Sequence, residues 1–327
     1  MKKIHCLLVS LIFWLTGCAP KKEQAYVPDS SGNINHVTVV MPQKSWQGAL
    51  GDAVKNQIAT VYEGLPLDEP RFTLRYMSPK NFTGFARHGR NILWFKKDTI
   101  NQFRMVQNQF ARPQIVALIQ GEDDAVMADY VNSNADLLVR SFAEAERQEK
   151  IRRIKKSVQK KDDFRKKFGA SLLYPSAYTT VKDTVNFIWI EKPIQKGTMN
   201  IIAYRLPKAT FSTPTLSRVI QIRDSIGQVY IPGRLPKSHM ITEKAYLPYF
   251  YKTKLDQSMA YLTKGMWEVK RDFMAGPFVQ YIVADPNTKD WLVVEGFAFA
   301  PSVAKRDYMF ELNSILSTLA FDKEKKN

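Results

Sequence analysis

Three acidic side chains lie among apolar, strand-like segments of the second half of the sequence. They are Glu268, Asp272 and Glu295. A pair of carboxyl groups about 5–10 Å apart can hydrolyse a glycosidic bond, with one group acting as the acid and the other as base or nucleophile. Acidic residues that flank strands also commonly face solvent or pair with Lys and Arg, of which this chain has 48. The sequence leaves both interpretations of these carboxylates open.

A second polar group lies in the segment Arg87-His88-Gly89-Arg90-Asn91. Two guanidinium groups and an imidazole on one loop could bind a phosphate or a carboxylate. The alternative is a surface turn that leads into the strand beginning at Ile92. We predict a ligand-binding group made of Arg87, His88 and Arg90.

Aromatic side chains recur through the strand-like segments near the C-terminus. Their spacing is typical of a sheet core, and the alternative is an aromatic ligand groove. The series comprises Phe273, Phe278, Tyr281, Trp291, Phe297 and Phe299.

Motifs for other reactions are missing from the sequence. It contains no Gly-x-Ser-x-Gly elbow, no His-Glu-x-x-His helix and no glycine-rich nucleotide loop. Ser157 and Lys160 match Ser-x-x-Lys, but they lie in the most charged stretch of the chain, and no Lys-Thr-Gly partner exists. With only two cysteines and four histidines, we predict no catalytic residue, no metal and no cofactor.

The first 18 residues read as an export signal. Lys2 and Lys3 precede an apolar run, CLLVSLIFWL, that is too short to span a bilayer. Leu15-Thr16-Gly17-Cys18 resembles the bacterial lipobox, so we predict a lipoprotein signal peptide over 1–17, acylation of Cys18 and a flexible tether over 18–35. The alternative is an ordinary secretory signal whose cleavage site adjoins a cysteine.

A lipid on Cys18 would hold the chain at a membrane of the cell envelope. Ala19 follows the cysteine and no acidic run succeeds it, which favours an outer membrane with the protein facing the periplasm. Nucleic acid is not expected as a partner of an exported, lipid-tethered chain.

The formal net charge of +17 is concentrated in one segment. Residues 147–167 hold eleven Lys and Arg but only three acids. Such a segment is typical of a solvated helical connector. It could also contact anionic lipid or an envelope polymer, since each basic residue near a negative surface contributes about 1 kcal/mol. The predicted contact residues are Arg152, Arg153, Lys155 and Lys156.

Periodicity predicts an α+β fold with two mixed units, whose largely antiparallel sheets pack against amphipathic helices. The first unit spans 36–146, a basic helical connector spans 147–170, the second unit spans 171–321, and a charged tail spans 322–327. Helices are expected over about 46–62, from Asp123 or Asp124 to beyond Phe142, over 215–226 and over 305–321. In the third helix Leu137 and Leu138, and in the last helix Leu316, are expected to face the core.

The second half of the sequence contains the segments KKFG at 166–169, YPSAY at 174–178, FIWI at 187–190, GMWE at 265–268, FMAGPF at 273–278 and VVEGFAFAP at 293–301. Together these segments resemble an uncharacterised lipoprotein family of Bacteroidota, domain of unknown function 4837. It implies a lipid-anchored envelope protein and assigns no reaction. We therefore predict a noncatalytic binding or assembly factor; the alternative is an envelope hydrolase acting on glycan or peptidoglycan through the carboxylates named above.

Overall fold

The structure is a computed structural model that describes residues 26–209 and 211–323. Cys18, the predicted signal peptide and residues 324–327 of the predicted tail lie outside the described residues. Within them, seven α-helices accompany two main sheets, which confirms the α+β class. Every helix in these ranges is too short or too polar to cross a bilayer.

The N-terminal part of the chain forms a five-stranded sheet with four helices. Its strands are β1 His36–Val40, β2 Thr73–Met77, β3 Asn91–Lys97, β4 Gln102–Gln107 and β5 Ile115–Gly121. Its helices are α1 Gln43–Trp46, α2 Ala49–Ile58, α3 Asp124–Ser133 and α4 Ala135–Lys155.

This N-terminal sheet has the order β2-β1-β3-β5-β4. The pairs β1·β2, β1·β3 and β3·β5 are parallel, and only β4·β5 is antiparallel. Strands β1, β3 and β5 contain short continuous apolar runs, which are typical of buried parallel strands. Helices α2, α3 and α4 cover one face of the sheet, where Val54, Val131 and Leu138 belong to one buried cluster.

The C-terminal part forms an eight-stranded sheet, a two-stranded ribbon and three helices. The strands are β6 Ala170–Ser171, β7 Thr179–Thr184, β8 Phe187–Ile194, β9 Gly197–Pro207, β10 Met240–Thr242, β11 Tyr249–Leu255, β12 Ser258–Val269, β13 Ala275–Ala284, β14 Asp290–Phe299 and β15 Ala320–Phe321. The helices are α5 Asp163–Phe168, α6 Leu216–Tyr230 and α7 Arg306–Leu316.

The C-terminal sheet is antiparallel at every strand pair, in the order β10-β12-β13-β14-β9-β8-β7 with β11 beside β12. The prediction of largely antiparallel sheets therefore holds for the molecule, with the N-terminal sheet as the exception. Because strand side chains alternate between faces, one face packs against α7, with Leu312 and Leu316 in its core. The opposite face packs against α6, with Trp267 and Phe297 in its core.

All four predicted helices differ from their expected extents. The last one, α7, ends at Leu316 and not at residue 321, since Ala320–Phe321 form β15. The predicted helix over 46–62 is two helices, α1 and α2, separated at Gly48. The long third helix is interrupted at Asn134, and α4 then continues to Lys155, which places the start of the basic segment inside it. Helix α6 does not stop at Gly227, where a Cβ would lie 2.1 Å from the Met240 carbonyl oxygen. That glycine allows close packing and does not end the helix.

Most of the predicted core positions on these helices are correct. Leu138 and Leu316 are fully buried. Leu137 is 43% exposed, so the prediction that it faces the core is wrong. The apolar face of α4 therefore includes Leu138 and Phe142 and excludes Leu137.

The predicted tether ends earlier than residue 35. Ser30 and Ser31 donate backbone hydrogen bonds to the carbonyls of Arg112 and His88, and Ile34 and Asn35 are buried. Residues 30–35 therefore belong to the N-terminal fold. Helix α4 also contacts the C-terminal part, through an ion pair between Lys150 and Glu311. The division into separate units stays a prediction.

Candidate functional site

A small pocket lies on the α6 face of the C-terminal sheet, beyond the end of that helix. Its volume is about 250 Å³. Its walls are mainly apolar, and four aromatic rings contribute to them from three strands, with Trp189 on β8, Trp267 on β12 and Phe297 and Phe299 on β14. Alternation along β8 and β14 brings every second side chain to this face. We call this feature the aromatic pocket.

The rings of the aromatic pocket stand at steep angles to one another. The Trp267 ring is 5.7 Å from Phe297 at 73° and 6.3 Å from Phe299 at 54°, measured between ring centroids. Trp189 lies 6.2 Å from Phe297 at 48°. Tilted and edge-on pairs of this kind are favourable aromatic arrangements. Trp189 and Phe299 remain partly exposed, so they offer ring surface to a ligand.

Polar side chains of the aromatic pocket mostly bond one another. The Trp189 Nε1 group donates to Asn200 Oδ1 at 2.9 Å, and Asn200 Nδ2 donates to Thr198 Oγ1 at 3.0 Å. Asn200 is buried and is therefore fixed as part of the wall. The Trp267 Nε1 donor is buried and has no hydrogen-bond partner among the described residues.

The carboxylate of Glu191 also lacks a partner in the part of the chain that the structure describes. It follows Trp189 by two residues on β8 and is paired in register with Asn200. No described residue forms a hydrogen bond or an ion pair with this carboxylate. Burial alone raises the pKa of Glu191, with no contribution from a nearby cation. The pocket thus holds an unpaired negative charge beside aromatic rings.

The loop 231–234 forms the rim of the aromatic pocket. Gly233 has no room for a side chain, since a Cβ there would lie 2.3 Å from Ser238 Oγ and 2.5 Å from Val269 Cγ1. Arg234 also lines the pocket; its side chain is largely exposed and forms a two-pronged ion pair with Asp272. That guanidinium hydrogen-bonds to Asp272 and holds the pKa of the Asp272 carboxyl below its usual value.

A larger cleft of about 590 Å³ lies in the N-terminal part, between α4 and the turn that joins β4 to β5. Arg90, Glu149 and Arg152 line it together with Gln114. Glu149 accepts hydrogen bonds from both Arg152 and Arg153, and Arg90 bonds to the buried Glu146. Its central charges are therefore already paired within the protein.

The predicted ligand-binding group does not come together. Arg90 is buried and donates to Glu146 Oε1 at 2.9 Å. The Arg87 guanidinium lies over the rings of Phe82 and Phe110 at 5.5 and 5.1 Å, and His88 packs beside the Phe85 ring. Arg90 is thus a structural residue, which corrects the interpretation of this segment as one surface site.

The three acidic residues proposed for the hydrolase alternative also lie in separate surroundings. Glu295 is fully buried and pairs with Arg223 at 2.8 Å, whereas Asp272 pairs with Arg234 at 2.7 Å. Glu268 lies beside Glu243, and burial together with this second carboxyl raises the pKa of Glu268. Glu243 was not predicted. A direct contact between these two carboxyls leaves no room for the sugar that a glycosidase pair encloses.

The basic segment is only partly free. Arg152 and Arg153 both pair with Glu149, Arg147 pairs with Glu144, and Lys150 pairs with Glu311. Lys155 and Lys156 are exposed at the end of α4, and no described residue pairs with either ammonium group. Contact of the four predicted residues with an anionic surface stays a prediction.

The aromatic series divides between the two interpretations of the sequence. Phe278, Tyr281, Trp291 and Phe297 are buried in the sheet core. Phe297 and Phe299 also line the aromatic pocket. Phe273 is fully exposed in the turn between β12 and β13, so its assignment to the core is wrong.

Sequence reasoning missed Glu191 and the contribution of Trp189 to a pocket. The segment FIWIE at 187–191 did contain a signal, because residues two apart on a strand share a face. That alternation places Phe187, Trp189 and Glu191 together, with a charge following two aromatic residues. The rings of β12 and β14 join them only through the strand order of the folded sheet.

Two family models match the chain, and both describe domains of unknown function. Residues 156–318 match Domain of unknown function (DUF4837), and residues 30–155 match Domain of unknown function (DUF8532). The segments that carry the resemblance, from 166 to 301, all lie in the first match, so the resemblance to an uncharacterised family is confirmed there. The match covers the second half of the chain. No curated protein matches the sequence.

Several solved structures are distantly similar to this fold. The Ran-binding protein Mog1p of Saccharomyces cerevisiae is 7% identical, with 47% of this chain and 91% of that one covered and a TM-score of 0.33. LpqN of Mycobacterium tuberculosis, described as involved in cell envelope biogenesis, is 14% identical. The similarity covers 46% of this chain and 82% of LpqN, with a TM-score of 0.29. A STAR-related lipid transfer protein of Xanthomonas axonopodis is 10% identical. The similarity covers 43% of this chain and 96% of that one, with a TM-score of 0.24. At these scores none supports a functional argument.

Proposed function

We propose that the protein is a noncatalytic, lipid-anchored cell-envelope protein that binds a small ligand in the aromatic pocket. The observation that carries the proposal is a concave site with accessible ring surface and an unpaired carboxylate. A pocket with mostly apolar walls and few unsatisfied polar groups is the usual form of a small-molecule site. It lies in the part of the chain that matches DUF4837.

Binding is favoured over hydrolysis by the state of the acidic residues. Glu295 and Asp272 are each held by an arginine, and Glu268 contacts a second carboxyl. In the described residues, no three His, Cys, Asp or Glu side chains are grouped closely enough to hold a metal ion.

The lipid anchor is proposed from the N-terminal sequence pattern. Acylation at Cys18 would leave ten residues before Asp29, which is next to the first backbone contacts with the N-terminal sheet. A fully extended segment of that length spans about 35 Å at most. The anchor would therefore keep the folded part close to the membrane. A Bacteroidota origin and a periplasm-facing outer-membrane location complete the proposal.

The anchor is tested by substituting each of the two cysteines of the chain. Cys18→Ala should release the protein from the membrane fraction and abolish labelling by an alkyne-tagged fatty acid. Cys6→Ala is the matched control, because Cys6 lies in the predicted signal peptide and should have no effect on either readout. A native protein whose intact mass shows an unlipidated N-terminus would contradict the anchor.

The noncatalytic part is tested by incubating the full-length protein with purified peptidoglycan. The proposal predicts no soluble fragments above those released by heat-inactivated protein. Release of fragments that is lost in Glu268→Gln and retained in Glu122→Gln, an exposed acid in the N-terminal part, would support the hydrolase instead.

A further inference from the structure

The unpaired carboxylate of Glu191 is unusual in its own protein. The chain has 48 Lys and Arg against 31 Asp and Glu. Several partly buried and buried acids elsewhere recruit cations, as Glu63 does with Lys264 and Glu149 with two arginines, whereas Glu268 contacts Glu243. Glu191 is half-buried, and removing a charge even partly from water without a partner costs free energy. A cation supplied from outside would satisfy Glu191.

The aromatic rings around Glu191 favour the same kind of ligand. A ring carries negative charge density on its faces and attracts cations within about 6 Å of its centre. Cages of Trp, Tyr and Phe bind quaternary ammonium groups in this way. Trp189 and Phe299 are partly exposed, and the more deeply buried Trp267 and Phe297 also line the pocket.

The remaining polar groups offer little to a neutral sugar. Asn200 and Thr198 are hydrogen-bonded within the wall, and the Arg234 guanidinium is already paired with Asp272. The free features of the pocket are one carboxylate, one buried indole donor and ring faces. A ligand that matches them carries a positive charge and apolar substituents.

We propose that the aromatic pocket binds an alkylammonium group, with Glu191 as the counter-ion and Trp189, Trp267 and Phe299 around the substituents. This inference rests on the proposed function, because it names the ligand class of the same pocket. A volume of about 250 Å³ suits a small headgroup or a small free amine. Both sources share the ammonium chemistry, and the experiment separates them.

The test uses the full-length protein in dodecyl maltoside, a detergent without charge, with 5-fluorotryptophan incorporated for ¹⁹F NMR. Choline is the probe, and 3,3-dimethylbutan-1-ol is its neutral analogue of nearly the same shape. Choline should shift the resonances of Trp189 and Trp267, assigned by Trp→Phe substitution. Trp46 and Trp94 in the N-terminal part should not move and also report that each variant is folded.

Glu191→Gln should weaken choline binding about tenfold, the effect expected for a close charge pair. Glu122→Gln removes the same charge from an exposed site in the N-terminal part and should leave the affinity unchanged. The neutral analogue should bind more weakly than choline to wild type and equally to both variants. Vesicles of phosphatidylcholine then identify the source of the ammonium group. Vesicle binding that depends on Glu191 indicates a lipid headgroup, whereas choline binding without vesicle binding indicates a small free amine.

Two results would overturn the inference. If the pocket resonances do not respond to choline, the pocket does not bind alkylammonium groups. If the neutral analogue or N-acetylglucosamine binds as tightly as choline, and Glu191→Gln makes no difference, the ligand is not recognised by its charge. The second result would leave the proposed binding function standing, so the two failures are distinguishable.

Discussion

Two cavities of the protein differ both in size and in how their charges are paired. The cleft beside α4 has about 590 Å³, and the charges of its Arg90, Glu149 and Arg152 are paired within the protein, although the buried Arg90 Nη1 has no hydrogen-bond partner among the described residues. The aromatic pocket has about 250 Å³ and contains Glu191, whose carboxylate has no partner among the described residues. The volume of a cavity shows where a ligand could fit, whereas an unpaired charge in the cavity shows which new interaction a ligand could form there. The smaller cavity is therefore the better candidate.

The largest expected effect concerns the charge network behind the larger cleft. Glu146 is fully buried and accepts hydrogen bonds from Asn35 N, Arg90 Nε and Asn91 Nδ2. Glu146→Ala should lower the free energy of unfolding by about 3–5 kcal/mol, because the buried Arg90 would lose the carboxylate to which it is hydrogen-bonded and keep only the more distant Glu149 at 3.9 Å. Urea unfolding measures the change.

Glu144→Ala is the matched control for Glu146→Ala, since Glu144 lies on the same helix and forms a more exposed ion pair with Arg147. Its loss should change stability by less than about 1 kcal/mol. Equal effects of the two substitutions would show that the network in the cleft is not structural and that its charges are available to a ligand.

Core packing gives the next largest effect. Leu138 in the N-terminal part and Leu316 in the C-terminal part are fully buried, so each Leu→Ala substitution should cost about 2–5 kcal/mol. Leu137→Ala, at the adjacent and 43% exposed position, should cost much less. A similar loss at Leu137 and Leu138 in urea unfolding would contradict the observed phase of α4.

The basic segment should give the smallest effect. A soluble, unlipidated form of the protein should cosediment less with anionic vesicles when Arg152, Arg153, Lys155 and Lys156 are changed to Gln. Added salt should also reduce binding of the wild type, since the Debye length is only about 8 Å at physiological ionic strength. Because Arg152 and Arg153 are also bonded to Glu149, the variant with Lys155→Gln and Lys156→Gln alone separates surface charge from structure. Binding that is unchanged in both variants, or insensitive to salt, would leave the segment as a connector.

The sequence predicts elements well where side-chain patterns are local. Strands β1, β13 and β14 and the helix α7 follow from apolar runs and alternation, and Gly169 closes α5 in the left-handed region at φ 58°. Strand β4 was missed because its Gln102 and Gln107 ends and its partly buried side chains give a weak pattern. Parallel pairing in the N-terminal sheet depends on which strands meet, and local alternation does not encode that.

The candidate site was the least predictable part, because its members meet only in the folded sheet. Arg90 resembled a surface ligand until Glu146, 56 residues later, was found to pair with it. Glu191 is separated from Trp267 and Phe299 by more than 70 residues. Whether a charge is paired is a property of tertiary structure, and this property distinguishes the two cavities.

Glu191 also makes a prediction about pH. Its pKa is raised in the folded state by burial, so the folded protein holds a proton there more strongly than the unfolded chain. The stability that this group contributes is therefore lost as the pH rises from the ordinary pKa of glutamate through the raised pKa of Glu191 in the folded state. Glu191→Gln removes that loss, and its advantage over wild type should grow from acidic to neutral pH.

The most direct test of the account is thermal unfolding of wild type and Glu191→Gln at neutral pH, each with and without choline. An unpaired carboxylate kept for a ligand should cost stability, so the account predicts a higher Tm for Glu191→Gln without choline. Choline should raise the Tm of wild type, as any ligand of the folded state does, and have little effect on the variant. A variant that is less stable than wild type, and that responds equally to choline, would contradict the account.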